Sequence, residues 1–341
     1  MSEKEVSRLQ RIMDAAEQLF NEPVLKVLAP GGEDRASFRL IFADKAVIGT
    51  LRPNFRRTHV EAHVLQRLQP YCDDIPVCHG VIGQIMFQSD VGERRLNIEI
   101  ANRSPAERRD LAAESVAAIF RIHSAARRTT LHQTMPQLGA NRSWVENIVD
   151  AADALQQFSG GLPDRFDRNA ACERLAVSGR QFLKWDCRSG NAAIGNDDKL
   201  RWFDFEYSGT RHGAEDIAWL IGDEAWPLDP HDMNQIVRDA YDPEIGDTLD
   251  EYMDYLSVYL TFHCVQRLKL IVKEARKRGW LSKTRIRQYD DAGVHPDFAA
   301  HICLVGQYFA SQSPLTAPLA GNFERSRTAF TDIAQEGRMQ A

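Results

Sequence analysis

The chain has 341 residues, 43% of them hydrophobic and 26% charged, with a formal net charge of −6. That length allows a large core and two lobes. The mildly acidic balance makes the chain a poor candidate for a general nucleic-acid or anionic-membrane binder, so neither partner is expected. Six cysteines, with no CxxC pair, fit no zinc module. The first twenty residues carry no secretory signal and no apolar run reaches membrane length, so a cytoplasmic protein with reduced thiols is expected. Nothing in the sequence marks an oligomeric state.

In chain order, Val6, Leu9, Ile12, Met13, Ala16, Leu19 and Phe20 recur at helical spacing, which predicts an amphipathic helix over residues 5–20. It ends near Pro23, where the pattern changes. Residues 24–28, 36–42 and 46–51 are short β-type runs separated by Pro30-Gly31-Gly32 and Asp44-Lys45 turns. A helix over 57–68 follows, then β runs at 77–82 and 85–87. From Pro105 helical patterns dominate: 111–123, 144–158, 168–177, 214–221, 233–240, 249–278 and 297–310. A β-rich interruption spans 182–205. The tail after Ser311 reads as looser. The expected architecture is α+β: a small antiparallel-sheet lobe over residues 1–88 and a larger, mainly helical lobe over 89–341.

The interruption holds the densest chemistry. Lys184-Trp185-Asp186-Cys187-Arg188-Ser189-Gly190-Asn191 is followed by Trp202-Phe203-Asp204-Phe205-Glu206. An Asp, an Asn five residues on and a second Asp at the end of an apolar run supply one base and two oxygen ligands for a hard cation. Phosphoryl transfer to a hydroxyl needs those groups. A hairpin with solvated turn residues is the competing explanation. Cys187 is read as a filler in the turn, because no His lies close in sequence.

These motifs resemble the aminoglycoside phosphotransferase and choline kinase-like family, which has the protein-kinase-like fold. The strong match covers about residues 182–227, and a weaker one covers about 24–68. Lys184-Trp185-Asp186 stands where the family has His-Gly-Asp. The resemblance implies that Asp186 orients the acceptor hydroxyl and takes its proton. It implies that Asn191 and Asp204 hold Mg²⁺, and that ATP or GTP is the co-substrate. Arg188, two residues after Asp186, is read as a cation for the transferring phosphoryl group or as an exposed loop Arg. Asp216 resembles the family's Asp that buttresses the catalytic loop, with an ordinary Asp at a helix N-terminus, favoured by the macrodipole, as the competing explanation.

In the sheet lobe, residues 30–39 resemble a nucleotide-covering loop, with Ser37 facing phosphate, and a plain hairpin turn is the competing explanation. Glu61 occupies the position of the family's helix Glu. The strand Lys that should pair with it is absent, and Arg52 is the nearest cation on that strand face. Extended backbone at residues 87–92, including Gln88, is expected to meet the nucleobase. Glu206, Asp223, Glu224 and Trp226 suggest a cationic acceptor, with a charged helix end and a core Trp as the alternative. The implied function is a small-molecule kinase acting on an alcohol. The alternative is a pseudokinase or nucleotide-binding regulator, motivated by the absent Lys. A protein kinase ranks lower because no activation segment follows Asp204. A metal-dependent hydrolase ranks last.

Overall fold

The computed structural model describes residues 3–30, 32, 36–176 and 181–339. Helix α1 (Glu3–Phe20) lies across a five-stranded antiparallel sheet made of β1 (Lys26–Leu28), β2 (Ser37–Ile41), β3 (Ala46–Leu51), β4 (Cys78–Ile82) and β5 (Ile85–Ser89). The strand order is β1-β2-β3-β5-β4. Side chains alternate along each strand. Phe38, Leu40, Val47, Leu51, Ile85 and Phe87 therefore pack on Ile12, Ala15 and Ala16 of α1. The opposite face carries Ser37, Arg39, Ile48, Thr50 and Gln88. Register sets Ser37 against Thr50, and Ile48 against both Arg39 and Gln88. Helix α2 (Phe55–Leu68), capped by Asn54, buries Glu61 with Val64, Leu65 and Leu68.

The rest of the chain is built around the helix Leu249–Arg278, whose buried aromatic stripe includes Tyr252, Tyr255, Tyr259 and Phe262. The helix Ala214–Ile221 packs on it, and the helix Pro105–Arg127, started by a Ser104–Glu107 capping box, reaches it through Phe120, whose ring lies 5.9 Å from that of Tyr252. Two small ladders frame the dense motif. Gln181–Leu183 pairs with Gly209–Arg211. Ala192–Ile194 pairs with both Arg94–Arg95 and Leu200–Trp202. All six cysteines are free and buried. Among the described residues no helix is long and apolar enough to cross a membrane.

The two readings that differ most lie in the helical part. The single helix expected over 144–158 is broken into Arg142–Asp150, a 3₁₀ turn at Ala151–Leu155 and a short Gln156–Ser159 helix. The tail expected to be loose forms the helix Ala320–Met339, packed on Pro296–Ala310. Its buried face mixes Phe323, Phe330 and Ala334 with Asn322 and Ser326, and those two polar residues hide the helical period. Asn322 Nδ2 donates to Ser159 Oγ and Gly161 O, both at 2.6 Å. Ser326 is bound to the helix's own backbone. The Phe323→Ala variant is expected to lose about 3–5 kcal/mol of stability, measured as a lower urea midpoint with an unchanged slope.

Candidate functional site

The motif loop is held from behind by one carboxylate. Asp216, near the start of the helix Ala214–Ile221, is fully buried. Its Oδ2 accepts from the Lys184 backbone N–H at 2.8 Å and lies 2.9 Å from His123 Nε2, while its Oδ1 accepts from the Trp185 N–H at 2.8 Å. These bonds fix the backbone just ahead of Asp186. Trp185 and Asp186 both take left-handed conformations, with φ of 62° and 53°. For residues with a Cβ that conformation is costly and persists only where surroundings impose it. The Trp185 indole lies against Trp144 and Trp219, with ring centroids 6.1 and 5.7 Å away.

Lys184 is buried as well. Its ammonium donates to the carbonyl of Asp204 at 3.1 Å, of Asp186 at 3.4 Å and of Trp185 at 3.5 Å. Asp204 is itself left-handed, with φ of 64°. One side chain thus ties together the two loops that carry Asp186 and Asp204.

Asp186 is engaged through both oxygens. Arg188 Nε donates to Oδ1 at 2.8 Å, and Asn191 Nδ2 donates to Oδ2 at 3.0 Å and to the Asp186 carbonyl at 2.9 Å. Arg188 also faces Asp290, with nitrogen–oxygen distances of 3.3 and 3.5 Å. Burial works against the Arg188 charge, but Asp186 and Asp290 outweigh it and raise its pKa.

Across from this loop, Arg52 follows β3 and meets three carboxylates: Glu61 at 2.5 Å, Asp204 at 2.9 Å and Glu206 at 3.3 Å. Burial opposes its charge, and the three carboxylates restore and raise it. Glu61 is buried, and its other oxygen accepts the Phe205 N–H at 2.9 Å. Arg57 of α2 donates to Tyr207 Oη at 2.7 Å and stacks over its ring at 4.3 Å. The sheet lobe is therefore bonded directly to the segment that carries Asp204.

Ser37 and Gln88 lie on the sheet face opposite α1. Ser37 Oγ bonds the Thr50 hydroxyl at 2.8 Å, and Gln88 is buried. Of the loop expected to cover a nucleotide, Gly31, Glu33, Asp34 and Arg35 lie outside the described residues. The linker is fastened by Arg39, which pairs with Asp90 at 2.6 Å and donates to the Gly92 carbonyl at 3.2 Å and to Glu93. Gly92 has φ of 110°, and a Cβ there would come within 2.8 Å of the Ile194 carbonyl oxygen.

The residues that suggested a cationic acceptor have other partners. Asp223 accepts from the Ser189 N–H at 2.9 Å and hydroxyl at 2.5 Å. Glu224 takes two bonds from Arg267, at 2.6 and 2.8 Å, and one from the Gly293 N–H at 2.6 Å. Trp226 is in the core, its indole N–H directed at Met233 Sδ 3.3 Å away. Glu206 is drawn to Arg52 and Arg57. This is the structural alternative foreseen for the charged helix end and the core Trp. His263, behind the loop, is kept neutral by burial and by Arg267, which lower its pKa to about 3.

No family model matches the chain, and no curated protein matches it in sequence. Its fold does match solved structures. A choline/ethanolamine kinase family protein from Mesorhizobium loti aligns over 95% of this chain and 99% of its own, with a TM-score of 0.55 and 14% identity. Spectinomycin phosphotransferase APH(9)-Ia, in complex with ADP and spectinomycin, aligns over 93% and 98%, with a TM-score of 0.52 and 10% identity. The gentamicin complex of APH(2")-IIa aligns over 83% and 97%, with a TM-score of 0.50 and 11% identity. The fold is the kinase-like fold of these phosphotransferases. Within this kinase-like frame, sequence reasoning missed two residues. Lys184 reads in the sequence only as a replacement for His, because its burial among three carbonyls is set by tertiary packing. Asp290 left no local signal, because it reaches the loop from a segment 102 residues beyond Arg188.

The Glu224–Arg267 pair predicts an acid limb in stability. Burial alone would raise the Glu224 pKa, but Arg267 and the hydrogen bonds bring it down from 4.5 to about 2. A carboxylate depressed in the folded state stabilises above its unfolded pKa, and that contribution fades as pH falls toward the folded value. Urea midpoints measured between pH 5 and pH 2 (roughly the titration window) are expected to fall more steeply for the wild type than for Glu224→Gln. Parallel curves would exclude the linkage.

Proposed function

We propose that the chain is a small-molecule kinase that transfers the γ-phosphoryl group of ATP or GTP to a hydroxyl of an alcohol acceptor. The observation that carries this reading is the Lys184 cage, which sets the Asp186 and Asp204 loops against each other, each in a strained conformation. Asp186 is the base: it orients the acceptor hydroxyl and takes its proton as that oxygen bonds to the γ-phosphorus and the nucleoside diphosphate leaves. Ser37 and the sheet face around Gln88 are assigned to the nucleotide. Nucleotide binding is supported by the fold match to a phosphotransferase solved with ADP.

The donor chemistry fits Mg²⁺. Asn191 turns its amide nitrogen toward Asp186, which leaves its carbonyl oxygen as a hard donor. Asp204 has Oδ1 on Arg52, and Oδ2 takes no hydrogen bond among the described residues. Among those residues no cluster of three or more His, Cys, Asp or Glu is built to hold an ion alone. Mg²⁺ commonly binds through one or two protein oxygens and completes its shell with phosphate and water. Bound there, it would offset charge on the phosphates.

Arg52 takes the Glu61 partnership expected of the strand Lys, and Asp204 and Glu206 engage it further. That observation favours the second reading, a nucleotide-binding regulator without normal turnover. The two readings separate on Asp186→Ala. For a kinase, the variant keeps Mg·ATP binding in a thermal-shift assay and loses about 10²- to 10⁴-fold in ADP formation. Binding without ADP formation in the wild type would favour the regulator.

The acceptor is assigned only as a small-molecule alcohol. The support for a cationic one is the half-buried Trp185, next in sequence to Asp186 and packed with Trp144 and Trp219, because a cation is attracted to an indole face. Choline and spectinomycin are expected to outperform glucose in ADP formation, and preference for glucose would reject the cationic assignment.

A further inference from the structure

Arg188 is placed between two carboxylates. Its Nε donates to Asp186 Oδ1 at 2.8 Å, while Nη1 and Nη2 face Asp290 Oδ1 and Oδ2 at 3.5 and 3.3 Å. Asp290 ends the helix Lys283–Tyr289 in a left-handed conformation, with φ of 48°. Its carboxylate rests on Gly190, where a Cβ would come within 2.1 Å of Oδ1. The loop motif thus accommodates Asp290 through a residue with no side chain.

The segment that carries Asp290 is firmly anchored. Asp291 accepts two bonds from Arg278, at 2.7 and 2.8 Å, and its N–H donates to the Ile286 carbonyl at 3.0 Å. The Gly293 N–H donates to buried Glu224 at 2.6 Å, and Leu281 donates to the Val294 carbonyl at 2.8 Å. A guanidinium has five N–H donors in a fixed plane. Once Asp290 holds the Nη edge, the plane is set and Nε is directed at Asp186. Each oxygen of Asp186 then has one fixed donor, Arg188 on one side and Asn191 on the other.

We infer that Asp290 is a positioning residue for phosphoryl transfer, holding Arg188 so that Arg188 fixes the Asp186 carboxylate toward the acceptor hydroxyl. This rests on the kinase reading. It also gives Arg188 a different duty from clamping phosphate, because both of its edges are engaged within the protein.

Two measurements test it on the full chain. The first follows ADP formation from Mg·ATP with choline, spectinomycin, glucose or water as acceptor. Asp290→Asn is expected to lower kcat about tenfold and to leave the KM for ATP within about threefold. The double variant D290N/R188Q should be no slower than R188Q alone, within about threefold, because both act through one contact. Asp290→Glu should recover part of the loss. The second measurement is the Arg188 Nε–H resonance in a ¹⁵N correlation spectrum, identified by its loss in Arg188→Lys. In Asp290→Asn it should shift or broaden.

Losses that multiply in the double variant, or an unchanged Arg188 resonance, would overturn the inference. A loss confined to the acceptor KM would make Asp290 an acceptor ligand and overturn it equally. A wild-type chain that binds no Mg·ATP would remove the kinase reading, and the resonance would then decide the Asp290–Arg188–Asp186 coupling by itself.

Discussion

The site depends on a carboxylate that never meets solvent. Asp216 gathers two backbone N–H groups of the motif loop and the ring of His123. A buried carboxylate without donors would be strongly unfavourable, and one with three is a rigid anchor. The loop it anchors contains two consecutive residues with positive φ. Such a turn relaxes unless its backbone is held on both sides of the strain. Asp216 holds the N-terminal side, and the Lys184 ammonium holds the carbonyls beyond it. The strained geometry that presents Asp186 is thus imposed by charged groups packed where water cannot compete.

From that anchor the polar network spreads in two directions. Through Lys184 it reaches the Asp204 loop, and from there Arg52 and Glu61 carry it into the sheet lobe. Through Arg188 it reaches Asp290 and the segment locked by Glu224 and Arg267. Most of these groups are buried or half-buried, so partners in the network are tightly coupled. Replacing one member is expected to disturb its neighbours more than its own pairwise contact suggests.

How much of this was legible in the sequence depended on distance along the chain. The β-rich interruption and the juxtaposition of Asp186 with Asn191 were readable, because both follow from local period and spacing. The long helix Leu249–Arg278 was readable for the same reason, and its bounds are those the sequence pattern predicts. The Asp290 contact was not readable, since it is made by tertiary packing across many elements. The destinations of Asp223 and Glu224 were equally hidden: carboxylates beside a motif look available until Ser189 and Arg267 are seen to consume them. The C-terminal helix was not readable, because Asn322 and Ser326 occupy its buried face and interrupt the hydrophobic period.

The burial of every cysteine has a consequence for how the molecule reports its own opening. Cys187 follows the proposed base directly, yet burial raises its thiol well above the ordinary range, and Cys264 and Cys303 are raised the same way. The thiolate is the reactive form, so the native chain offers a thiol reagent little to attack. Reaction must then wait for an opening event, and the order in which cysteines are modified follows the order in which their surroundings come apart. Cys78 lies in the sheet, Cys187 in the motif loop and Cys264 and Cys303 in the helical core. The chain therefore carries a thiol clock in each of its layers, one of them next to Asp186.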